Sequence, residues 1–382
     1  MFKDRTAIAG IGETAFGKLL SASEERLACE AILTALNDAG IAPREVDGLC
    51  SYTMETTDAT EVARNIGAGD ITFFSQVGYG GGAGCATVGH AAMAVAVGQA
   101  NVVVAWRSRK RSARSARIWA SGADSMAATG RWSRPWGLLR PADEVAMLAR
   151  RYMHEYGATR ESLAEVALAL RAHANRNPRA TMHARPLSRD EYLSARWVSE
   201  PLCLFDCCLE TDGALAAVIV SKERARDCRR PPVYIHAVAQ GMPRQIFGMT
   251  NYFCEDPLRT PSFVCGKQLW RDSDFVPADV KVAQIYDAFS PLILFALEGF
   301  GFCPRGEAGD FVRGGKLRWD GGAVAVNTAG GSLSEAYVHG FNLITEGVRQ
   351  MRGTSTSQIE AAECCLVASA ECVPSGALLL RR

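Results

Sequence analysis

The sequence predicts an α/β fold of two similar halves, layered α/β/α/β/α, with a helical segment inserted into the first half. Short Val- and Ile-rich stretches alternate with helical stretches of about 10–15 residues, which is typical of parallel or mixed sheets covered on both faces. In each half a glycine turn leads into a helix and then an apolar strand. The two turns are Gly78–Gly84 and Ala329–Gly331.

The first half is expected over residues 1–225. Ser23, at the start of its first helix, is suited to cap that helix because its hydroxyl can accept a free backbone N–H. The strands and helices of this half are predicted, in order, at Thr6–Gly12, Ser23–Ala39, Val46–Cys50, Ala86–Ala96 and Asn101–Ala105.

The second half is expected over residues 231–382, after a charged linker at Lys222–Arg230. The helix-rich, basic residues of about 107–200 are interpreted as a loop domain inserted within the first half. The elements of the second half are predicted at Pro231–Val238, Val282–Phe289, Glu335–Met351 and Cys365–Ala368.

Composition excludes several classes of function. The chain has 382 residues, 48% hydrophobic and 22% charged, with a net charge of +1, so no global field favours nucleic acid or a membrane surface. The N-terminus has no apolar signal-peptide core. The most apolar segment, Ala91–Ala105, is too short to span a bilayer. A cytoplasmic protein is predicted.

The thirteen cysteines are interpreted as reduced thiols, several of them in apolar stretches. Cys203, Cys207 and Cys208 cluster, but they form no C-x-x-C pair and have no histidine at a matching spacing. No metal site and no cofactor are therefore predicted.

The loop Asn327–Gly340, with the sequence NTAGGSLSEAYVHG, is the most informative segment. It resembles the thiolase loop N-x-x-G-G-x-x-x-x-G-H-P-x-G that carries the catalytic histidine. Tyr337 stands at the histidine position and Val338 at the proline position. The resemblance covers nearly the whole chain and implies the thiolase fold.

Within the thiolase superfamily the chain resembles the lipid-transfer-protein-type, thiolase-like aldolases of bacterial steroid side-chain breakdown. Together, several segments are fairly specific for that branch. They are ARRYMHEYGATRE, RAHANRNPRA, PLCLFDCCLETDGALAAVIVSKERA, YDAFSPLILFALEGFGF, GEAGDFV and the glycine loop itself.

Both positions that hold a cysteine in thiolases carry another residue type in this chain. Counting back from Gly98, the nucleophile position falls on Gly81, and Cys85 lies about one helical turn deeper, where we expect it to join the core. The position of the second cysteine is nearer Ser369 or Ala370 than Cys372. The resemblance therefore implies that acyl-enzyme chemistry is lost.

Two tyrosines replace polar groups that converge on the thioester in thiolases. Tyr286 takes the asparagine place of the N-E-A-F motif, here Tyr-Asp-Ala-Phe, and Tyr337 takes the histidine place. Retro-aldol cleavage needs a base for the β-hydroxyl and an acid for the α-carbon. We assign these roles to the two tyrosines without deciding which has which.

Supporting roles are expected for residues near the tyrosines. Backbone N–H groups of Gly81, Gly330 and Gly331 would stabilise the enolate, and Asp287 and Tyr252 would orient the substrate. His339 is expected on the same helix as Tyr337, and two residues along a helix correspond to about 200° of rotation. It is therefore predicted to point away from Tyr337.

The basic run after Val104 has two interpretations. Arg107, Arg109 and Arg111 either form a solvated charged loop or attract the phosphates of coenzyme A. Nucleic-acid binding is not predicted, because aromatic side chains are not interleaved with these charges.

The predicted function is an acyl-CoA retro-aldolase that releases a ketone and a short acyl-CoA from a bulky, steroid-like substrate. The resemblance also implies a homodimer, and a second subunit with an OB-fold and a zinc ribbon that completes a heterotetramer. Two alternatives remain: a thiolase or acyltransferase that uses Cys85, and a non-catalytic subunit that binds acyl-CoA or lipid.

Overall fold

The computed structural model describes residues 3–112, 130–251, 253–360 and 362–382. Its strands are β1 Thr6–Glu13, β2 Gly48–Tyr52, β3 Phe73–Val77, β4 Val102–Lys110, β5 Trp197–Ser199, β6 Leu202–Cys203, β7 Asp212–Ser221, β8 Val233–Gly241, β9 Val282–Ile285, β10 Ala325–Val326, β11 Cys364–Ala368 and β12 Ser375–Arg381.

The helices follow the same alternation with the strands. They are α1 Glu24–Ala39, α2 Ala59–Ile66, α3 Gly84–Ala96, α4 Gly130–Ser133, α5 Pro141–Tyr156, α6 Arg160–Arg176, α7 Arg189–Ser194, α8 Lys222–Ala225, α9 Pro261–Arg271, α10 Ser290–Gly299, α11 Ala308–Phe311, α12 Gly331–Ser334 and α13 Phe341–Arg352. The predicted cap of α1 is present, since the Ser23 side chain accepts the N–H of Arg26.

The two halves repeat one sheet topology. The strand order is β3-β2-β4-β7-β1 in the first half and β10-β9-β11-β12-β8 in the second. In each half the first two pairs of neighbours are parallel and the last two are antiparallel. A short antiparallel contact between β1 and β8 joins the halves into one sheet among the described residues.

Two central helices separate the sheet halves. Helix α3 is buried on almost all sides and packs against β2, β4 and β7 of the first half and β8 and β12 of the second. Helix α13 likewise contacts both halves. Helices α1 and α9 cover the outer faces. The chain thus has the predicted five-layer α/β/α/β/α fold, with the core on both sides of the central helices.

Some element bounds differ from prediction. The helix expected at Glu335–Met351 begins only at Phe341, because Gly340 adopts a left-handed φ of 83° before it. Strand β4 runs on to Lys110, so the basic run starts inside the sheet rather than in a loop. Strand β7, which pairs with both β1 and β4, was not predicted. The residue bounds proposed for the two halves stay a prediction.

Candidate active site

Tyr286 and Tyr337 meet at the edge of the central layer. Tyr286 directly follows β9, where its N–H donates to the carbonyl of Ala368 at 3.0 Å. Tyr337 lies in the loop between α12 and α13, where its N–H donates to the Thr211 hydroxyl at 2.8 Å. Their phenol oxygens are 2.8 Å apart, within direct hydrogen-bond distance. The structure therefore brings the two predicted catalytic side chains together.

Burial keeps both phenols protonated near neutral pH. The pKa of Tyr286 is raised well above its ordinary value, first by burial and then by the neighbouring Tyr337. Burial also raises the pKa of Tyr337, but the positive charges of Arg109 and Arg107 oppose that rise. Tyr337 is therefore the hydroxyl on which negative charge is better tolerated.

Tyr286 fills the space that a side chain at position 81 would need. A Cβ atom on Gly81 would overlap the Tyr286 hydroxyl and lie 2.6 Å from ring carbon Cζ. The position where thiolases carry their nucleophile is thus occupied by the phenol. A side chain at position 81 is therefore sterically incompatible with Tyr286 in this position.

Cys85 is a core residue, as predicted. It is buried, its N–H donates to the Ser369 hydroxyl at 2.9 Å, and its thiol contacts the Val367 carbonyl at 3.4 Å. Burial raises the pKa of the thiol to about 12. A thiol that stays protonated is a poor nucleophile, so the geometry disfavours the thiolase alternative.

Asp287 stabilises the loop that carries Tyr337. Its two carboxylate oxygens accept the N–H groups of Ser332, at 2.8 Å, and Leu333, at 3.1 Å, in the first turn of α12. Burial raises its pKa to about 6, and these N–H bonds oppose the rise. Both oxygens face the loop, so the structure gives Asp287 a loop-stabilising role, and its expected role in orienting the substrate stays a prediction.

The N–H groups of the second glycine turn are only partly free. The Gly330 N–H donates to the Asn327 carbonyl at 2.8 Å, so this group is already engaged, and its expected role as an enolate donor stays a prediction. Gly331 is needed for another reason: with a φ of 60°, a Cβ atom there would lie 2.7 Å from the Asn327 amide nitrogen and overlap the Asp287 carboxylate. Donor roles for the N–H groups of Gly81 and Gly331 stay predictions.

His339 lies in the site, contrary to prediction. The chain from Tyr337 to His339 is not helical, and His339 has a left-handed φ of 55°. Its ring lies 5.7 Å from that of Tyr337 and 5.9 Å from that of Tyr52, between centroids. The helical rotation argument therefore does not apply. Gly340 was the available signal, since a glycine at that place favours a helix start after it rather than before it.

Arg107 and Arg109 are buried on β4, with 0% and 2% of their surface exposed. The expectation of a solvated loop is wrong for both. Arg107 donates to the Tyr52 carbonyl and contacts Glu55 and His339. The Nε and Nη1 atoms of Arg109 have no hydrogen-bond partner among the described residues.

The remaining predicted residues are less informative. Arg111 is partly buried at the end of the described range, and coenzyme A binding by the three arginines stays a prediction. Tyr252 lies outside the described residues.

Within the described ranges, no group of three or more His, Cys, Asp or Glu side chains is placed to hold a metal ion. In the same ranges no helix combines the length and apolarity needed to cross a bilayer. All thirteen cysteines are free thiols.

Known proteins are similar to this chain in sequence and in fold. Residues 6–223 match the family described as "Thiolase, N-terminal domain", and residues 251–377 match "Thiolase C-terminal domain-like". The chain is 47% identical to the 17-hydroxy-3-oxo-4-pregnene-20-carboxyl-CoA lyase of Mycobacterium tuberculosis, over 100% of both chains. It is 48% identical to the steroid side-chain-cleaving aldolase of Thermomonospora curvata, over 98% of this chain and 97% of the other.

A solved structure described as an Ltp2-ChsH2(DUF35) aldolase superposes with a TM-score of 0.95 at 47% identity, over 100% of this chain and 98% of the other. Matches of this length and identity establish the family. The chain belongs to the thiolase family, in the branch of the thiolase-like aldolases.

Proposed function

We propose that this protein is an acyl-CoA retro-aldolase, which cleaves a β-hydroxyacyl-CoA to a ketone and a shorter acyl-CoA. The observation that carries the proposal is the 2.8 Å contact between the Tyr286 and Tyr337 hydroxyls, at the site where a thiolase holds its nucleophile. The lyase and aldolase relatives, nearly half identical over the whole chain, support the same carbon–carbon bond cleavage.

The tyrosine pair relays one proton. Tyr337 accepts the proton of the substrate β-hydroxyl and passes its own proton to Tyr286, which protonates the α-carbon. As the hydroxyl proton leaves, the Cβ–O bond becomes a carbonyl, the Cα–Cβ bond breaks, and its electron pair forms the thioester enolate. Protonation of that enolate gives the shorter acyl-CoA. Both tyrosines end as they began, so the reaction needs neither an added base nor a covalent intermediate.

The charges near Tyr337 support one direction of the relay. Because the pKa values of both phenols are raised, a relay between neutral hydroxyls avoids a free buried phenolate. Arg109 and Arg107 favour transient negative charge on Tyr337 rather than on Tyr286. The β-hydroxyl is therefore assigned to the Tyr337 side and the α-carbon to the Tyr286 side.

The proposed substrate is a steroid side-chain thioester with a tertiary hydroxyl. The Mycobacterium tuberculosis relative is named for a 17-hydroxy pregnene carboxyl-CoA. Retro-aldol cleavage of such a molecule between C17 and C20 leaves a 17-ketone on the ring system. The three departing carbons form propionyl-CoA. We assign the same class of substrate to this chain, with coenzyme A as part of the substrate and no further cofactor.

The proposed assembly is a homodimer with a second, OB-fold subunit, in the cytoplasm. Strand β3 is a sheet edge, and Phe74 on it is 79% exposed, as is Val97 at the end of α3. An exposed apolar edge strand favours pairing with another chain, which supports a dimer across β3. The two-protein name of the Ltp2-ChsH2(DUF35) structure supports a partner subunit.

The test is a product assay on the chain co-expressed with an OB-fold partner. A steroid β-hydroxyacyl-CoA with a tertiary hydroxyl is supplied without free coenzyme A. Ketone and propionyl-CoA are expected, because thiolysis cannot release product without added thiol. Turnover of a β-ketoacyl-CoA only after coenzyme A is added would indicate a thiolase instead. Binding without turnover of either thioester would indicate a non-catalytic subunit.

A further inference from the structure

Arg107 and His339 form a buried pair beside the tyrosines. The Arg107 Nη2 atom is 2.8 Å from His339 Nδ1, although the two residues are 232 positions apart in the chain. Arg107 lies over the Tyr52 ring at 4.6 Å, and the Tyr52 hydroxyl donates to the His339 carbonyl at 3.0 Å. Strand β4, through Arg107, thus holds the imidazole, and strand β2, through Tyr52, holds the backbone of His339.

The contact with Arg107 fixes the tautomer of His339. A guanidinium has only donors, so Nδ1 must be the acceptor and the ring hydrogen must lie on Nε2. The imidazole is also neutral, because burial and the charges of Arg107, Arg109 and Arg111 lower its pKa well below the ordinary value. A neutral imidazole with an obligatory Nε2–H is a hydrogen-bond donor of fixed direction.

The free edge of the ring lies near Gly80, whose neighbour Gly81 borders the Tyr286 hydroxyl. A Cβ atom on Gly80 would lie 3.4 Å from His339 Cε1 and 3.6 Å from Nε2, so this edge borders the first glycine turn. Among the described residues Nε2 has no hydrogen-bond partner. The backbone of His339 is held at a φ of 55°, which a residue with a Cβ adopts only when its surroundings require it.

We propose that His339 donates its Nε2–H to the thioester oxygen of the substrate, and that Arg107 is the positioning residue that sets its tautomer. This inference rests on the proposed retro-aldol function. As the Cα–Cβ bond breaks, negative charge grows on the thioester oxygen, and a fixed donor stabilises that charge more than the ground state. His339 thereby supplies a donor that the N–H of Gly330 does not, because that N–H is already bonded to the Asn327 carbonyl.

Two substitutions at one position separate the donor from the packing. In His339→Asn the amide reaches the level of Nδ1, retains the contact with Arg107, and suits the left-handed backbone, but nothing replaces Nε2. In His339→Gln the longer side chain returns an amide N–H near the place of Nε2. We expect His339→Asn to lower kcat about 100-fold with a small change in KM, and His339→Gln to stay within about 10-fold of the wild type.

The outcomes are distinct. Wild-type kcat in a folded His339→Asn protein, or equal losses in the Asn and Gln variants, would overturn the donor role. The control for folding is the thermal transition of each variant. An inactive wild-type protein in the same assay would contradict the proposed function instead.

The tautomer has a readout that needs no turnover. In protein labelled with ¹⁵N-histidine, the His339 signal is assigned among the six histidines by its loss in His339→Asn. We expect Nε2 to be the protonated nitrogen in the wild type, and a mixture of tautomers in Arg107→Met. A wild-type ring protonated on Nδ1 would overturn the Arg107 role. An unchanged spectrum in folded Arg107→Met would also overturn it.

Discussion

The two glycine turns of this protein occupy equivalent places in the repeated halves but serve opposite purposes. In the first turn, Gly80–Gly84, the missing side chains provide space: a Cβ on Gly81 would overlap Tyr286, and one on Gly82 would overlap the Pro374 carbonyl. The second turn is taken together with the loop that follows it, up to Gly340. Its glycines shape this loop, and the side chains of Tyr337 and His339 enter the site from it.

The difference shows how one fold changes its chemistry. A thiolase-type nucleophile belongs to the first turn, at the start of a central helix. In this chain that turn has lost its reactive group, and the hydroxyl of Tyr286 from β9 fills the space. The reacting groups now come from the residue that follows β9 and from the second turn. Changes in the second turn should therefore remove chemistry, whereas changes in the first should act by displacing Tyr286.

The largest effect is expected from removing either hydroxyl of the pair. Tyr337→Phe and Tyr286→Phe should each lower kcat by about 10²–10⁴-fold, because each breaks the proton relay. The double variant should be no slower than the slower single variant, since both groups act in one step. Steady-state kinetics in the product assay measure this.

The matched control for the relay is Tyr234→Phe, on strand β8 and partly exposed, which should leave kcat unchanged. Full activity in either folded site variant would contradict the relay. Losses that multiply in the double variant would show that the two hydroxyls act independently.

A methyl group in the first turn should act through Tyr286. Gly81→Ala would push the phenol from its place, and we expect about a 100-fold loss of kcat, since displacements near 1 Å at a reacting group have effects of that size. Gly84→Ala is the control, because its Cβ would meet nothing closer than the Ser369 hydroxyl at 3.6 Å. Equal activity of the two variants would show that the turn does not position Tyr286.

The free energy of unfolding should depend more on Asp287, the buried cap of the second turn, than on the cap of a surface helix. Asp287→Asn leaves one of two buried N–H groups facing an amide NH₂, so a loss of roughly 1–3 kcal/mol in unfolding free energy is expected. Asp58→Asn, at the exposed start of α2, should change stability little, because Asn caps a helix as well as Asp. Chemical denaturation measures both, and similar small losses would contradict the difference between the loops.

Sequence patterns predicted the layers and the tyrosine pair for physical reasons. Apolar runs such as Val102–Ala105 and the turn glycines reflect local requirements. The tyrosines stand out by resemblance, Tyr286 against the thiolase N-E-A-F motif and Tyr337 against the thiolase glycine loop. Burial of Arg107 was not predictable. It depends on Glu55 and His339, which are 52 and 232 residues away and reach it only through the fold.

The error at His339 has a similar cause. The expected helix assigned a rotation to each residue of the loop, but a single left-handed residue changes every side-chain direction that follows. Periodicity describes regular elements well and says little about the irregular loop between α12 and α13. Reacting groups lie in such loops because the regular elements hold them in place.

The effect with the least expected influence on catalysis is a pH dependence of stability that arises in the second turn. Glu335 is buried, accepts the side-chain amides of Asn177 and Asn342, and has its pKa raised by burial to about 8, with Arg349 opposing the rise. Between its ordinary pKa and about 8 the folded state therefore binds more protons than the unfolded state. Stability should fall as pH rises through that range, by at most about 1.4 kcal/mol for each unit of the shift.

Glu335→Gln removes the titrating group while keeping an oxygen for one amide. Its transition temperature, measured from pH 5 to pH 9, should fall less steeply than that of the wild type. Glu360→Gln, at an exposed glutamate, should keep the wild-type slope. If both variants kept the full slope, another group would cause the pH dependence. Glu371 would be the next group to test, because burial raises its pKa to about 7. It lies beside the first turn, since the N–H of its neighbour Ala370 donates to the Gly81 carbonyl. The pH dependence would then arise beside the first turn and not in the turn that carries the chemistry.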